Sequence, residues 1–252
     1  MCIRDRSQVV VESTGIFTSQ EQASLHISGS VKKVVISAPP SGAVDFTTVM
    51  GVNDELYNPE EHNIISNASC TTNCLAIVIK VLRDNFGLSS GHMTTIHSYT
   101  NDQRIIDSPH KDLRRARAGG LSMIPTSTGA TKAIEAIFPE LRGNLSAISI
   151  RVPTPNVSMI DFVAKLESTV STQDINNAFE DTSKNLLKDY LDIAPEGAVS
   201  IDILRNKYSA VFDPFGTSVI GDNFIKIIAW YDNEYGYSSR VLDLVNKIGK
   251  LL

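Results

Sequence analysis

The strongest constraint on the fold is a strand–helix–strand pattern near the start of the chain. Residues 8–12 form a continuous, mostly apolar run, as in a buried parallel strand, and Ser13-Thr14-Gly15 predicts a turn after it. The capping-box pattern Thr18-Ser19-Gln20-Glu21 predicts a short helix that ends near Ile27. Residues 31–36 predict a second strand. A unit of this kind makes the two strands parallel neighbours in one sheet.

Two further short strands are predicted at Gly51-Val52-Asn53 and at Asn63-Ile64-Ile65-Ser66. Residues 8–69 therefore fit the second half of a Rossmann-type, doubly wound dinucleotide-binding domain. The G-x-G-x-x-G turn that opens the first half of such a domain occurs nowhere in the chain. We therefore expect the natural protein to begin upstream of this sequence.

The first six residues, MCIRDR, are charged and have neither helix nor strand periodicity. We expect them to be a non-native leader, in which case Cys2 is also foreign. A native, disordered start is the alternative. The two remaining cysteines of the chain are Cys70 and Cys74.

From Ser69 onward, the predicted strands are joined by short polar turns, which favours an α+β domain with a mixed, largely antiparallel sheet. The predicted strands are 93–97, 145–153, 157–166, 199–203, 217–220 and 224–230, and the predicted helices are 75–86, 128–138, 172–190 and 238–252. Residues 98–123 form a long loop rich in Arg and Asp. A loop of this length within a compact domain is usually functional.

Composition excludes several classes of protein. The chain has 23 Lys and Arg residues and 28 Asp and Glu residues, which gives a net charge of −5. This negative charge argues against nucleic acid as the main partner. No apolar run approaches the roughly 20 residues that span a bilayer. Three cysteines are too few for a secreted disulfide framework, and the start has no signal-peptide core. We therefore expect a cytoplasmic protein without a membrane partner.

The sharpest local signal for chemistry is Ser69-Cys70-Thr71-Thr72-Asn73-Cys74, at a predicted strand-to-helix junction. At a helix N-terminus, free N–H groups and the helix dipole favour an anion, which predicts a lowered pKa for the Cys70 thiol. A thiolate is a nucleophile. Cys74, one turn further along, is interpreted as a small buried hydrophobe, with a second catalytic thiol as the alternative.

Of the five histidines, His97 has the best position for an active-site base. It ends an apolar strand and precedes the long polar loop. An imidazole near Cys70 could stabilise the thiolate and transfer protons. From the residues alone, a structural histidine remains the alternative.

Two features predict anion binding. Thr128-Gly129 lies at a predicted helix start, where backbone N–H groups point outward. Arginines suit bidentate contact with phosphate, and the candidates are Arg114, Arg115, Arg117 and Arg151. A solvated basic stripe is the alternative for the first three. Arg151 stands out because it lies within an otherwise apolar strand.

Taken together, these residues resemble the phosphorylating glyceraldehyde-3-phosphate dehydrogenase family over residues 8–252. Seven motifs occur in that family's order: Glu12-Ser13-Thr14-Gly15, Val35-Ile36-Ser37-Ala38-Pro39, Ala68-Ser69-Cys70-Thr71-Thr72-Asn73, His97-Ser98-Tyr99-Thr100, Pro125-Thr126-Ser127-Thr128-Gly129-Ala130, Arg151-Val152-Pro153-Thr154, and Trp230-Tyr231-Asp232-Asn233-Glu234-Tyr235-Gly236-Tyr237-Ser238. The resemblance implies an N-terminally truncated member of that family.

The resemblance implies that Cys70 attacks the aldehyde of glyceraldehyde 3-phosphate and that His97 acts as its acid and base. It also implies hydride transfer to NAD and attack of inorganic phosphate on the resulting thioester, without a metal. For the substrate phosphate, the resemblance implies Thr100 and Arg151, supported by Asp102. For inorganic phosphate it implies Ser69, Thr71, Thr128 and Gly129, with Arg115 nearby. For the cofactor it implies Thr14, Gly15, Ser37, Asn233 and Tyr237.

The resemblance also implies a cytoplasmic homotetramer. We expect residues 1–69 to belong to the NAD-binding domain, residues 70–235 to form the catalytic domain, and residues 236–252 to form a helix that packs back on the NAD-binding domain. Pro109 favours NAD, but NADP stays open because the residue that chooses between them belongs to the missing half. Arg114 remains an alternative to Arg115.

Three alternative functions remain open: an erythrose-4-phosphate dehydrogenase, a cysteine hydrolase using Cys70 and His97, and an inactive fragment. A hydrolase would need no nicotinamide and leaves the Asn233 motif unexplained. We expect the 252 residues alone to bind NAD weakly or not at all, to be aggregation-prone and to be inactive.

Overall fold

The computed structural model describes residues 6–252, so all of the expected leader except its last residue, Arg6, lies outside the described residues. Its first sheet has four parallel strands in the order β1-β2-β4-β3. The strands are β1 (Val9–Glu12), β2 (Lys33–Ile36), β3 (Phe46–Thr47) and β4 (Ile64–Ser66). The predicted strand–helix–strand unit is confirmed, with α1 (Gln20–Ser24) as its helix.

Two local predictions in this region need correction. The cap of α1 is Ser19, whose hydroxyl accepts from the N–H of Gln22 at 3.2 Å, so the helix begins one residue later than predicted and ends at Ser24. Gly51-Val52-Asn53 is a turn before a short 3₁₀ helix at Asp54–Leu56, and not a strand. Gly51 has φ +82°, which extended backbone does not adopt.

The link from the first sheet to the second is α2 (Cys70–Phe86). Ser69 caps it by accepting from the N–H of Thr72 at 3.0 Å, and Gly87 ends it with φ +69°. Between its ends the helix is almost entirely buried, which explains the apolar run that predicted it. The capped N-terminus of the helix, with Cys70, lies at the carboxyl edge of the first sheet.

The second sheet has seven strands in the order β6-β7-β5-β8-β11-β10-β9. The strands are β5 (Leu88–Ser98), β6 (Ile124–Thr126), β7 (Leu145–Val152), β8 (Ser158–Leu166), β9 (Leu191–Ile193), β10 (Ala210–Ile220) and β11 (Phe224–Tyr231). Only the pairs β5–β7 and β9–β10 are parallel. The predicted fold class, a partial Rossmann-type sheet followed by a mixed, largely antiparallel one, is confirmed.

The predicted strand at residues 199–203 is wrong, because Ser200–Ile203 is a 3₁₀ helix. The carboxylate of Asp202 accepts from the N–H of Val199 at 2.9 Å. This local bond offers the backbone an alternative to strand pairing. The strand in this region is β9, which lies earlier in the chain.

Helices cover one face of the second sheet and both faces of the first, where Ala23 of α1 packs against Val34, Ile36 and Ile64. Helices α2, α3 (Ala130–Ile137) and α4 (Thr172–Lys184) bury the main core against the second sheet. The last helix, α5 (Tyr235–Gly249), places Leu244 and Ile248 against Val35 and Ile65 of the first sheet. No helix among residues 6–252 is long and apolar enough to cross a membrane.

Candidate active site

Cys70 is the first residue of α2 and lies directly beyond the carboxyl end of β4. Ala68 reaches this corner with φ +53°, a left-handed conformation that is unfavourable for a residue with a Cβ. The hydroxyl of Tyr237, on α5, donates to the Ala68 carbonyl at 3.0 Å. Tyr237 therefore supports the strained turn that presents the thiol.

His97 ends β5 with its Nε2 3.5 Å from the sulfur of Cys70, within the range of a sulfur hydrogen bond. Its Nδ1 lies 2.7 Å from the Ser98 carbonyl oxygen and 2.7 Å from Nη1 of Arg151. The carbonyl needs a proton on Nδ1, whereas the guanidinium needs a bare nitrogen. Nε2 can therefore present either a lone pair or an N–H to the sulfur. This is the arrangement required of a group that takes and returns a proton.

The electrostatics of the pair differ from the prediction. Burial raises the pKa of the Cys70 thiol, although Arg151 and the N–H of Thr71 oppose this rise. Burial, together with the positive charge of Arg151, lowers the pKa of His97 to about 4. The resting pair is therefore a neutral thiol and a neutral imidazole. The predicted fall in the thiol pKa is wrong for this arrangement, because loss of solvent outweighs the helix N-terminus.

The depressed pKa of His97 predicts a pH dependence of stability. Its pKa of about 4 in the folded protein lies below its ordinary value of 6.5, so the unfolded chain binds a proton first as pH falls. The contribution of His97 is complete above pH 6.5 and is lost towards pH 4. Between pH 7 and pH 5 this amounts to about 2 kcal/mol of unfolding free energy.

The measurement is urea unfolding of the wild type and of His97→Asn at both pH values. The wild type should lose about 2 kcal/mol more than the variant over this interval. Equal losses would show that His97 does not titrate as its burial requires.

The predicted cofactor turns also lie at the carboxyl edge of the first sheet. Thr14 and Gly15 follow β1, and Ser37 follows β2. The buried carboxylate of Glu12 accepts from the N–H of Thr14 at 2.7 Å and from its hydroxyl at 2.5 Å. The N–H of Ser37 donates to the Glu12 carbonyl at 3.0 Å. Ligands of doubly wound sheets bind at this edge.

Asn233 lies just beyond β11, and its side-chain oxygen accepts from the hydroxyls of Ser98 and Ser158, both at 2.9 Å. The side-chain NH₂ group of Asn233 is thereby left as the available donor. The carbonyl oxygen of Ser98 contacts His97 and Arg151, so Ser98 connects the Asn233 amide to the Cys70–His97 pair. The sequence interpretation missed the roles of both serines. Ser98 lies within one of the seven motifs, whereas the signal for Ser158 is a hydroxyl at the start of the largely apolar strand β8.

Comparison with known proteins identifies the family. Residues 69–233 match the family described as "Glyceraldehyde 3-phosphate dehydrogenase, C-terminal domain". The chain is 53% identical over 241 residues to a glyceraldehyde-3-phosphate dehydrogenase of Priestia megaterium, covering 96% of this chain and 72% of that protein. It is 52% identical over 236 residues to one of Geobacillus stearothermophilus, covering 94% and 70%.

This chain belongs to the glyceraldehyde-3-phosphate dehydrogenase family. A third relative, glyceraldehyde-3-phosphate dehydrogenase 2 of Nostoc, is 48% identical over 260 aligned residues. The alignment covers 99% of this chain and 77% of the length of the relative. The resemblance predicted from the seven motifs is confirmed.

In this member of the glyceraldehyde-3-phosphate dehydrogenase family, the predicted anion residues lie in two groups. Arg151 projects from β7 onto His97. Arg115 forms an ion pair with Asp102 and donates to the Ser127 carbonyl at 3.2 Å. Arg114 is exposed and donates only its backbone N–H, to Asp112. The geometry therefore favours Arg115 over Arg114 as the arginine beside the anion sites.

The remaining anion candidates form local bonds only. Gln103 Oε1 accepts from both the N–H and the hydroxyl of Thr100, at 2.9 and 3.1 Å. Gly129 is the exposed cap residue of α3, and the Thr128 hydroxyl accepts from the N–H of Ala130 at 3.3 Å. None of these residues has a hydrogen bond to Cys70 or His97 in the described part of the chain. The structure thus brings together Cys70, His97, Arg151, Asn233 and Tyr237, and leaves Thr100, Thr128 and Gly129 without a direct link to them.

Tyr231 is a second buried support that sequence interpretation missed. Its hydroxyl lies 2.9 Å from the hydroxyls of both Thr71 and Thr95, and its ring meets His97 edge-on with centroids 6.0 Å apart. Burial raises the pKa of Tyr231, so it remains a neutral phenol. Thr71 is thus held in the floor of the site. The inward-facing position of Tyr231 on β11 is the only sequence signal for this role.

Proposed function

We propose that this protein oxidises glyceraldehyde 3-phosphate with inorganic phosphate to 1,3-bisphosphoglycerate, using a nicotinamide dinucleotide and a thioester on Cys70. The observation that carries the proposal is the 3.5 Å approach of His97 Nε2 to the Cys70 sulfur, with Arg151 on the opposite side of the imidazole. A nucleophile, a proton acceptor and an anion-binding cation therefore lie within one cluster.

The chain's own residues account for the proton movements. Nε2 of His97 accepts the thiol proton, and the sulfur of Cys70 forms a bond to the aldehyde carbon. His97 returns that proton to the resulting alkoxide oxygen, giving a hemithioacetal. His97, neutral again, then takes the hydroxyl proton as the substrate is oxidised to a thioester. An oxygen of inorganic phosphate attacks the thioester carbon, and the Cys70 thiolate leaves and regains a proton from His97. When bound, the nicotinamide supplies the hydride acceptor.

The residues present fit a nicotinamide dinucleotide. The free NH₂ group of Asn233 is a donor suited to the carboxamide oxygen, and Thr14, Gly15 and Ser37 lie at the strand ends where such cofactors bind. We propose NAD as the preferred form because of Pro109, the residue that NAD-using members commonly carry.

The proposed substrate-phosphate residues are Arg151 and Thr100, with Asp102 in support. The proposed inorganic-phosphate residues are Ser69, Thr71, Thr128 and Gly129, with Arg115 beside them. Charge supports this division, since Arg151 already lies at the Cys70–His97 pair and Arg115 is anchored next to Ser127.

The test of the function is an assay of cofactor reduction by the intact protein with inorganic phosphate present. We expect rapid turnover of glyceraldehyde 3-phosphate and slow turnover of erythrose 4-phosphate. Phosphate-independent hydrolysis of an ester in the absence of a dinucleotide would instead identify a cysteine hydrolase.

Replacing Arg151 with alanine should lower kcat/KM selectively for phosphorylated substrates. Loss of a charge-assisted contact costs about 1.5–3 kcal/mol, which corresponds to roughly a 10- to 150-fold loss in kcat/KM for glyceraldehyde 3-phosphate. Unphosphorylated glyceraldehyde lacks that contact and should be much less affected. Steady-state kinetics on both aldehydes measure the difference.

The matched control is Arg117→Ala, which removes an arginine that is 63% exposed and pairs only with Asp107. Both substrates should keep their wild-type rates in this variant. An equal loss on both aldehydes in Arg151→Ala would identify a structural arginine.

We also propose a homotetramer and a cytoplasmic location. An oligomer is supported by exposed apolar side chains on the loop between β5 and β6, namely Ile105, Ile106, Leu113, Leu121 and Met123. The face of the second sheet opposite α2 adds half-buried Ile148, Ile150, Met159, Val163 and Ile228. A cytoplasmic location is supported by Cys70 and Cys74, which are both free.

The proposed domains are residues 1–69 for the cofactor, residues 70–235 for catalysis, and residues 236–252 as a helix belonging to the first domain. The packing of Leu244 and Ile248 against the first sheet supports the last assignment.

A further inference from the structure

Two buried serines hold the side-chain amide of Asn233. The hydroxyls of Ser98 and Ser158 both donate to Oδ1 of Asn233, each at 2.9 Å. The exposed fractions of these serines are 0% and 2%. The Ser158 hydroxyl also accepts from the N–H of Ser98 at 3.1 Å. The three residues therefore form one closed network behind the amide.

This network determines which end of the amide faces the site. If the amide rotated by half a turn, its NH₂ group would meet both serine hydroxyls, and their protons would lose their acceptor. The Ser158 oxygen already accepts one backbone N–H. A buried donor without an acceptor is costly, so the amide keeps its oxygen inward and its NH₂ group outward.

The side chain and the backbone of Ser98 have separate roles. Its hydroxyl orients Asn233, whereas its carbonyl oxygen lies 2.7 Å from Nδ1 of His97 and accepts from Nη1 of Arg151 at 3.2 Å. A Ser98→Ala substitution removes the first contact and leaves both carbonyl contacts. The orientation of Asn233 can therefore be tested without disturbing the groups that face Cys70.

We propose that Ser98 and Ser158 are positioning residues that hold the Asn233 amide with its NH₂ group toward the nicotinamide carboxamide, so that the site recognises the carboxamide oxygen. The inference rests on the proposed function, in which Asn233 faces the nicotinamide. Either hydroxyl alone keeps Oδ1 inward, so the two serines act redundantly.

The test is calorimetric titration of the intact protein with the nicotinamide dinucleotide. Each single variant, Ser98→Ala or Ser158→Ala, should raise the dissociation constant at most about 2-fold. The double variant should raise it about 10-fold, because the amide is then no longer fixed before binding. The matched control is Ser149→Ala, which removes a hydroxyl that is also buried but has no partner. It should bind like the wild type.

A second readout is alkylation of Cys70 by iodoacetamide without cofactor. The alkylation rate should be unchanged in the double variant. His97 and Arg151 contact Ser98 through its carbonyl oxygen, which both substitutions retain, and not through its hydroxyl. A dissociation constant equal to that of the wild type would overturn the proposal, and so would a parallel loss of alkylation, which would indicate collapse of the whole site. If the wild type itself bound no dinucleotide, the proposed function would fail, and this inference with it.

A third arm needs no variant and covers the case in which the double variant does not fold. In the 3-acetylpyridine analogue of the dinucleotide, an acetyl group replaces the carboxamide, so the carbonyl oxygen is kept and the NH₂ group is lost. The wild type should bind it within about 3-fold of the natural cofactor, since only the oxygen is recognised. A loss of more than about 10-fold would show that the Asn233 oxygen, and not its NH₂ group, faces the ligand.

Discussion

Replacing Cys70 with serine should lower the rate of glyceraldehyde 3-phosphate oxidation by at least about 10⁴-fold, because the reaction loses its nucleophile. The geometry around residue 70 would remain, because neither of its supports uses the sulfur. These supports are the Ser69 hydroxyl, which caps the helix, and the hydrogen bond from the Tyr237 hydroxyl to the Ala68 carbonyl. The loss should therefore appear in kcat, while binding of the dinucleotide is retained. Steady-state kinetics combined with calorimetry measure both.

The control for this prediction is Cys74→Ala. Cys74 is fully buried in the main core, and burial raises the pKa of its thiol well above the ordinary value. The variant should keep most of its activity and lose stability instead, by an amount that reflects the small cavity. Iodoacetamide should label Cys70 far faster than Cys74 in the wild type. Equal labelling of the two thiols, or full activity of Cys70→Ser, would contradict the assignment.

Replacing His97 with asparagine should slow oxidation by roughly 10²- to 10⁴-fold, the usual loss for a general acid–base group. Among residues 6–252, His97 is the one residue whose side-chain nitrogen hydrogen-bonds to the Cys70 sulfur. No neighbouring side chain can therefore take over its role. Proton transfer then limits the rate. Single-turnover kinetics with the aldehyde measure this step directly.

A matched control is His92→Asn, which replaces an exposed histidine on the same strand, β5, whose Nδ1 lies 2.7 Å from the Ser146 hydroxyl. We expect this variant to keep the wild-type rate. If both variants slowed equally, the effect would come from the strand and not from the imidazole at residue 97.

Arg151 connects this prediction to substrate binding. The positive charge of Arg151 is one cause of the depressed pKa of His97, whose burial is the larger cause. A substrate phosphate on the guanidinium would neutralise that charge and raise the pKa of His97 toward its ordinary value. The base would then be strengthened when a phosphorylated aldehyde is in place, which gives a physical reason for the two groups to share one site.

The sequence by itself determined the architecture of this protein because the signals that specify it are local. The strand–helix–strand unit, the cap at Ser69, the apolar run of α2 and the stop at Gly87 are all encoded within a few residues. Predictions failed where a local hydrogen bond or an unusual dihedral angle competed with pairing, as at Gly51 and in the 3₁₀ helix that begins at Ser200.

The sequence also marked Cys70 and His97 as candidates, and the motifs identified the family. Only the tertiary structure decided the state and the surroundings of these residues. Burial by distant segments, and not the helix N-terminus, sets the direction of the Cys70 pKa. The supports of the site come from far along the chain: Tyr231 reaches Thr71 across 160 positions, and Asn233 reaches Ser98 across 135. Such contacts depend on how β5, β11 and α2 pack together although they are far apart in the chain, so no pattern of neighbouring residues encodes them.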